Sequence, residues 1–399
     1  MLLKKYALPL LTAALALLLC LSAGAEGAAS GAGQDNNLPM VRARVTEVLS
    51  DEVVTTEYSG GQMQNRILRM QVTLLEGAFE GEVIEVTQSF DEIGMASSYP
   101  AKAGDHLFVG LELDDGGELR GYCADYVRDV PIYLMAAGFG LFLLLFGRWK
   151  GFKTLVSLFL TGAAVFVFFF PAVIRGASPV WCAALCCVFS TVVTLRLVCG
   201  WNRKALAAAV GCTGGLAVAG GLTALFGYWM RISGIVDEEA AFLMFISDEF
   251  TLDFKGILLA ASIIGALGAT MDVSVSIASS LAEIQEKAPG ITPRELVRSG
   301  VVIGRDIMGT MANTLVLAYV GGSIHIVLLL YAYPVAWANI INRETVAAQV
   351  LLTLSGSMGM FCSIPITALF TAALSYAKGR KTREAGQNPP PDGDGAPEM

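Results

Sequence analysis

Charged residues are scarce in this chain, at 16% of 399 residues, whereas they make up about a quarter of a typical soluble protein. The mean hydropathy is +0.60, and several apolar runs approach the ~20 residues needed to cross a bilayer. The formal net charge of −8 is spread over loops and tails without a basic stripe, which argues against nucleic acid as a partner. The composition therefore indicates a multi-spanning α-helical membrane protein in contact with the lipid bilayer.

Patterns of metal-ligating and catalytic residues are also lacking. The two histidines, His106 and His325, are far apart, and the eight cysteines include no CxxC pair. Most of the cysteines lie in apolar segments, which indicates small packing residues. No Ser-His, Cys-His, HExxH, paired-aspartate or P-loop motif occurs. We therefore expect no metal, no cofactor, no catalytic residue and no enzymatic activity.

The first 37 residues precede the part of the chain with regular patterns. A lysine pair, an apolar run and the sequence Ala23-Gly24-Ala25 fit a signal peptide over residues 1–25, with an uncleaved anchor as the alternative. Residues 26–37 form a small, polar linker. Either interpretation places residues 26–128 outside the cytoplasm, in a protein of the cell membrane.

Residues 38–128 alternate apolar and polar side chains with a period of two, which is typical of β-strands. The alternation is clear at 41–45, 70–74, 83–87 and 107–113. Turns rich in glycine and aspartate, such as 114–117, separate five or six such segments. We predict a small β-rich domain, either a barrel of the oligonucleotide-binding-fold kind or a sandwich, with a role in binding or assembly.

Residues 129–377 are predicted to form a polytopic helical domain of seven to eight membrane segments. Five spans precede residue 281, at 131–147, 154–173, 178–199, 205–229 and 256–280. Lysine and arginine collect at the ends of the first, third and fifth, which places those ends in the cytoplasm. Residues 230–255 then form an external acidic loop, with an interfacial or re-entrant helix at 240–246.

Charge and hydropathy disagree over the last three candidate spans, 301–320, 323–341 and 346–377. If all three crossed the membrane, the basic tail at 378–399, predicted to be disordered, would lie outside the cell. One of them is therefore not a plain crossing. We favour a broken helix within 346–377; the alternative is a break at Gly321-Gly322 or Pro334. The residues at which we expect the first break are Ser355, Gly356, Ser357, Gly359 and Pro365.

Polar residues follow helical spacing in the fifth span and in the segment after it. The first set shares one helix face, at intervals of three or four residues: Asp272, Ser276, Ser279 and Glu283. Thr292-Pro293-Arg294-Glu295 matches a capping box, which predicts that a helix begins at Pro293. A second stripe on that helix consists of Asp306, Thr310 and Asn313, with Arg305 beside it.

A charge at mid-bilayer costs at least about 2.5–3.5 kcal/mol, so we expect both stripes to turn inward and face each other. Asp272 is then level with Thr310, and Arg305 pairs with Glu283 or Asp306. Hydrogen bonding between helices is the alternative role, and we favour it for the serines alone. For Asp272 and Asp306 we favour a functional site.

Two motifs resemble the YibE/F-like membrane proteins, a family found largely in Gram-positive bacteria. They are Gly265–Ser280 (GALGATMDVSVSIASS) and Gly304–Thr314 (GRDIMGTMANT). The order of signal, external β-rich domain and multi-span region is also similar, so that the resemblance covers most of residues 38–377. It implies no biochemical activity for this chain.

The polar residues favour a secondary transporter or permease for an unknown solute or ion, with Asp272 as an intramembrane carboxylate site. The alternative is a non-transporting cell-envelope assembly or scaffold protein whose external domain binds a partner. A second membrane subunit of the same family is a candidate partner in either case. An intramembrane enzyme is the weakest hypothesis, because no catalytic motif supports it.

Overall fold

The chain folds into a β-barrel and a helical bundle. A computed structural model describes residues 38–58, 61–90, 99–113, 119–200, 202–236, 240–243, 252–332 and 336–386. These residues divide into two compact units on either side of Gly138. The predicted signal and linker, the turn at 114–117, most of the acidic loop and residues 387–399 lie outside the described residues.

Five strands close into a barrel in the first unit. They are β1 (Leu38–Tyr58), β2 (Gly61–Leu74), β3 (Val83–Phe90), β4 (His106–Leu113) and β5 (Leu119–Tyr126). The strand order is β1-β2-β3-β5-β4, and all neighbours are antiparallel except β3 and β5, which are parallel. The barrel alternative of the prediction is therefore confirmed and the sandwich alternative is wrong.

Alternation along the strands fills the barrel with apolar side chains, because successive residues point to opposite faces. Ala43, Met70, Val86 and Leu107 are fully buried in this core. β1 and β2 are longer than expected, and their paired ladder continues to Tyr58 opposite Gly61. The predicted strand segments thus lie within the observed strands, but the long hairpin was not predicted.

The second unit is built from helices, the first of which begins within the first unit. They are α1 (Asp129–Ala163), a π-helical segment (Ala164–Phe169), α2 (Phe170–Ile174), α3 (Pro179–Val198), α4 (Arg203–Trp229), α5 (Phe254–Lys287), α6 (Pro293–Gly322), α7 (Ile324–Ala332), α8 (Trp337–Ile341) and α9 (Glu344–Gly386). Six helical runs within the described residues are long and apolar enough to cross a membrane: 129–174, 179–198, 203–229, 254–287, 293–322 and 344–376. All five spans predicted before residue 281 fall on the first four of these runs.

The first of these runs bends sharply at Arg148. The backbone there has φ 49° and ψ −127°, a conformation outside any helix. A Cβ added to Gly151 would overlap the carbonyl oxygen of Leu143. In a straight helix, residues eight apart are separated by about 12 Å along the axis. The chain therefore turns back on itself between the predicted spans 131–147 and 154–173.

The prediction of a broken helix at 346–377 is wrong, because α9 is continuous over 43 residues and contains Pro365. Ser355 and Ser357 donate hydrogen bonds to carbonyl oxygens one turn back, Leu351 and Thr353, at 2.6 and 2.8 Å. Serine and glycine are weak helix formers, yet they remain helical here because they are buried in the bundle, where packing overrides intrinsic preference. The buried residues are Ser355, Gly356, Ser357 and Gly359.

Of the two alternative break points in the preceding element, Gly321-Gly322 is confirmed, and Pro334 lies outside the described residues. α6 ends at Gly322, and the described helices that follow it within 323–341 are short. α7 has 9 residues and α8 has 5, and each is too short to cross a bilayer. At the other end, α9 continues to Gly386, so that residues 378–386 are helical rather than disordered as predicted.

Helices α4 and α9 approach so closely that their backbones touch. A Cβ added to Gly215 would lie 2.7 Å from the carbonyl oxygen of Gly359, and one added to Gly359 would lie 2.6 Å from that of Gly215. Such close approach requires glycine on both helices. α5 packs against this pair, with Thr270 2.7 Å from the same Gly215 position. These three helices form the centre of the bundle.

Candidate functional site

The polar stripe of α5 lies on the outside of the bundle. Asp272, Ser276, Ser279 and Glu283 are all exposed. The neighbouring residues Val273, Ile277 and Leu281 are buried against α6 and α9. At about 100° per residue, the packed side of α5 is thus turned away from the stripe.

The polar stripe of α6 is exposed as well. The buried residues of this helix are Leu296, Gly300 and Gly304, near its beginning. Gly300 fits against Ala368 of α9 and against Leu281 of α5, and Gly304 fits against Ile364 of α9. Arg305, Asp306, Thr310 and Asn313 are all exposed. On α6, too, packing uses a face other than the polar one.

Two contacts fix the register between α5 and α6, which are antiparallel. A Cβ on Gly300 would lie 3.0 Å from Leu281, and a Cβ on Gly265 would lie 2.5 Å from the Tyr319 hydroxyl. Between these two contacts, Asp272 is level with 309–312, the turn that contains Thr310. The depth match expected from the sequence therefore holds.

The two stripes are exposed on the outside of the bundle rather than packed face to face in its interior. α9 covers the inner side of both helices through Met360, Ile364 and Ala368. A surface groove of about 360 Å³ is lined mainly by the end of α5, including Glu283, and on the α6 side by Ile303. We define the outer polar face as the exposed residues Asp272, Ser276, Ser279, Glu283, Asp306, Thr310 and Asn313. The expectation that both stripes turn inward is not met within this chain.

The expected ion pairs of Arg305 are not formed. Glu283 instead pairs with Lys287, one turn further along α5, at 2.7 Å. Within the described part of the chain, neither Arg305 nor Asp306 has an oppositely charged side chain within 4.0 Å. The cause is geometric: Arg305 and Glu283 lie on different levels, and adjacent helical residues point about 100° apart.

A buried hydroxyl cluster joins α4, α5 and α9, and the sequence prediction missed it. Thr223 lies 2.7 Å from both Ser262 and Ser355, and the last two lie 3.2 Å apart. The Ser355 hydroxyl donates a hydrogen bond to the carbonyl oxygen of Leu351 at 2.6 Å. The cluster is closed by protein on all sides, so its hydroxyls join helices rather than binding a ligand.

The cluster continues as a column of hydroxyls along α9. Ser363, Thr367 and Thr371 are buried, and each donates to a backbone carbonyl of its own helix at 2.7 Å. Ser274 of α5 is fully buried beside Gly211, and its hydroxyl has no hydrogen-bond partner within the described residues. The four-residue spacing of the α9 hydroxyls was visible in the sequence and could have indicated this interface.

The outer polar face carries an asparagine, carboxylates and hydroxyls, whereas a helix surface in contact with lipid is expected to be apolar. The six membrane-capable runs of the described residues and the polar face on two of them define a multi-pass helical membrane protein, with a β-barrel as a separate unit. Residues 135–377 match the model of the YibE/F-like proteins, and the chain belongs to this family. No curated protein and no solved structure matches the chain.

The match confirms the family indicated by the two motifs, and both motifs lie inside it. It is narrower than the resemblance expected from the sequence, because it begins within α1 and leaves out residues 38–134. The barrel is therefore not part of the matched region.

Proposed function

We propose that the chain is a membrane subunit of a secondary transporter or permease, in which the outer polar face borders the path of a solute or ion. A neighbouring subunit closes this path. The single observation that carries the proposal is that α6, the least apolar of the six runs, is also the least covered. Only 6% of its most apolar stretch is buried, compared with 50% for α9.

Contact of this polar face with lipid alone is energetically unfavourable. Ionisable side chains in a membrane segment are costly, and they normally face protein or water. The exposed side of α1 illustrates the opposite case, since Leu134, Met135, Leu145 and Phe146 are apolar and suit lipid. The carboxylates of Asp272 and Asp306 thus support a face that is covered or hydrated in the membrane.

A seven-crossing topology supports this arrangement, with the run 129–174 counted as two crossings that reverse at Arg148. The barrel is then outside, and the tail after α9 is inside. Every cytoplasmic turn carries lysine or arginine, as the positive-inside rule requires. The residues concerned are Arg148, Lys150, Lys153, Arg203, Lys204, Lys287 and Arg294, followed by the tail.

Reporter fusions test this topology. A fluorescent protein fused after residue 386 is expected to fluoresce, and alkaline phosphatase inserted at Gly176 is expected to be active outside. Insertion of the phosphatase at Gly200 serves as the inside control and is expected to be inactive. A phosphatase that is active after residue 386 would rule out the odd number of crossings.

Flux measurements test the function. Purified protein in liposomes is screened with ions and small solutes. Asp272→Asn is expected to lower the flux of the transported species by about tenfold or more, because the carboxyl group is lost. Glu286→Gln is the matched control, since Glu286 is an exposed carboxylate of the same helix about 21 Å along the axis from Asp272. Equal flux in both variants would contradict a role for Asp272.

A non-transporting assembly protein is the second candidate, favoured by the barrel's being a compact unit of its own outside the matched region. The two candidate functions predict different effects of deleting the barrel and of changing Asp272. If cells require residues 38–128 and tolerate both Asp272→Asn and Asp272→Ala, the assembly role replaces the transport role.

A further inference from the structure

The uncovered side of α6 carries opposite charges at one depth. Arg305 and Asp306 are consecutive, so they differ by about 1.5 Å along the helix axis. Both are exposed, and neither has an ion-pair partner among the described residues. The residues three and four positions away on α6 carry no charge. Their charges are therefore available to a neighbouring molecule.

We infer that this side of α6 binds the same side of α6 in a second copy of the chain, about a two-fold axis along the membrane normal. Two copies inserted in one membrane share their orientation, so their α6 helices run parallel and residues of equal depth meet. Arg305 and Asp306 lie about 100° apart, on the two flanks of the exposed side. The two-fold rotation brings Arg305 beside the partner subunit's Asp306, and the reverse pair forms at the same time.

The surface between the two flanks is shaped for close approach. Gly309 lies there, and a Cβ added to it would have open space within 4 Å. Val302 lies on the same side and is 50% exposed. Small residues at a membrane helix interface let the backbones come together. Reciprocal ion pairs around a small-residue centre form a self-complementary surface, which is what a two-fold dimer requires.

The inference deepens the proposed function, because it identifies the neighbouring subunit and rests on the polar face being enclosed. A different membrane protein as the partner would need its own opposite charges at the matching depth. This chain already provides both signs at that depth. A second copy is therefore the occupant that the charges support.

Charge reversal tests the contact in the full-length protein. The fraction of dimer is measured by single-molecule photobleaching in lipid vesicles for wild type, Arg305→Asp, Asp306→Arg and the double variant. Each single reversal places like charges together, and we expect the dimer dissociation constant to rise by about tenfold or more, with recovery in the double variant. Unchanged dimer in the single variants, or a monomeric double variant, would overturn the inference.

Cysteine cross-linking tests the same dimer contact without changing the charged residues. Gly309→Cys is expected to form a disulfide-linked dimer in oxidised membranes, above the level that wild type gives through its native cysteines. Leu369→Cys, on the exposed side of α9, is the control and is expected to stay at the wild-type level. Cross-linking at Leu369 but not at Gly309 contradicts the proposed surface.

The contact and the proposed function fail in different ways. A wild type that is monomeric in vesicles but shows Asp272-dependent flux overturns the dimer and leaves the transport role standing. A dimer that responds to the charge swap but shows no Asp272-dependent flux supports the contact and removes the transport role.

Discussion

Alanine in place of Gly215 is expected to destabilise the helical unit by about 1–3 kcal/mol, the usual cost of overpacking a tight contact. The added Cβ would lie 2.7 Å from the carbonyl oxygen of Gly359 and 2.9 Å from Ser363. A backbone oxygen cannot move away as a flexible side chain can, so α4 and α9 must separate. Unfolding in mixed micelles, followed by tryptophan fluorescence, measures the change.

The sign of this effect is what distinguishes it from an ordinary helix substitution. Replacing glycine by alanine within a helix usually stabilises it by about 0.5–1 kcal/mol. Gly221 provides the control on the same helix, because a Cβ added there meets nothing within 4 Å. Gly221→Ala is therefore expected to be neutral or stabilising. If both variants lower stability equally, the backbone contact between α4 and α9 is not the cause.

Leu107→Ala is expected to destabilise the barrel by about 2–5 kcal/mol, through lost burial and the cavity left behind. Leu107 is fully buried in β4, opposite Ala43 of β1. Leu49→Ala is the matched control, since Leu49 is 48% exposed on β1. The readout is hydrogen exchange of the barrel strands in the full-length protein, because it reports on the barrel separately from the helices.

The expected result is faster exchange across all five strands in Leu107→Ala and little change in Leu49→Ala. Equal exchange in both variants would show that the β4 side chain does not hold the barrel together. Faster exchange confined to β4 would mean that the strands unfold separately rather than as one unit.

Local sequence rules predicted the parts of the fold that depend on neighbouring residues. The capping box is an example: the Glu295 N–H donates to Thr292 Oγ1 at 3.3 Å, and the Thr292 N–H donates to the Glu295 carboxylate at 3.0 Å. α6 begins at Pro293, as expected. The same holds for the strand alternation, which placed Val72 and Val109 in the barrel core.

What the sequence could not provide is which face of a helix meets another helix. Asp272 and Ser274 are two residues apart on α5, yet the carboxylate is exposed and the hydroxyl is fully buried. In a membrane protein both polar and apolar residues pack against other helices, so polarity alone does not identify the buried side. The same limit led to the wrong prediction at Ser355 and Gly359, where α9 is one continuous helix packed against its neighbours.

The contact between Gly215 and Gly359 limits how the bundle can change shape. Because the two backbones already touch, α4 and α9 cannot come closer, and moving them apart would expose the glycine surfaces and the hydroxyls next to them. The pair therefore behaves as one rigid body. The fully buried residues of α6 are Leu296, Gly300 and Gly304, all in its first half. Any rearrangement that opens a route through the unit therefore leaves the spacing of α4 and α9 fixed and moves α6 relative to them.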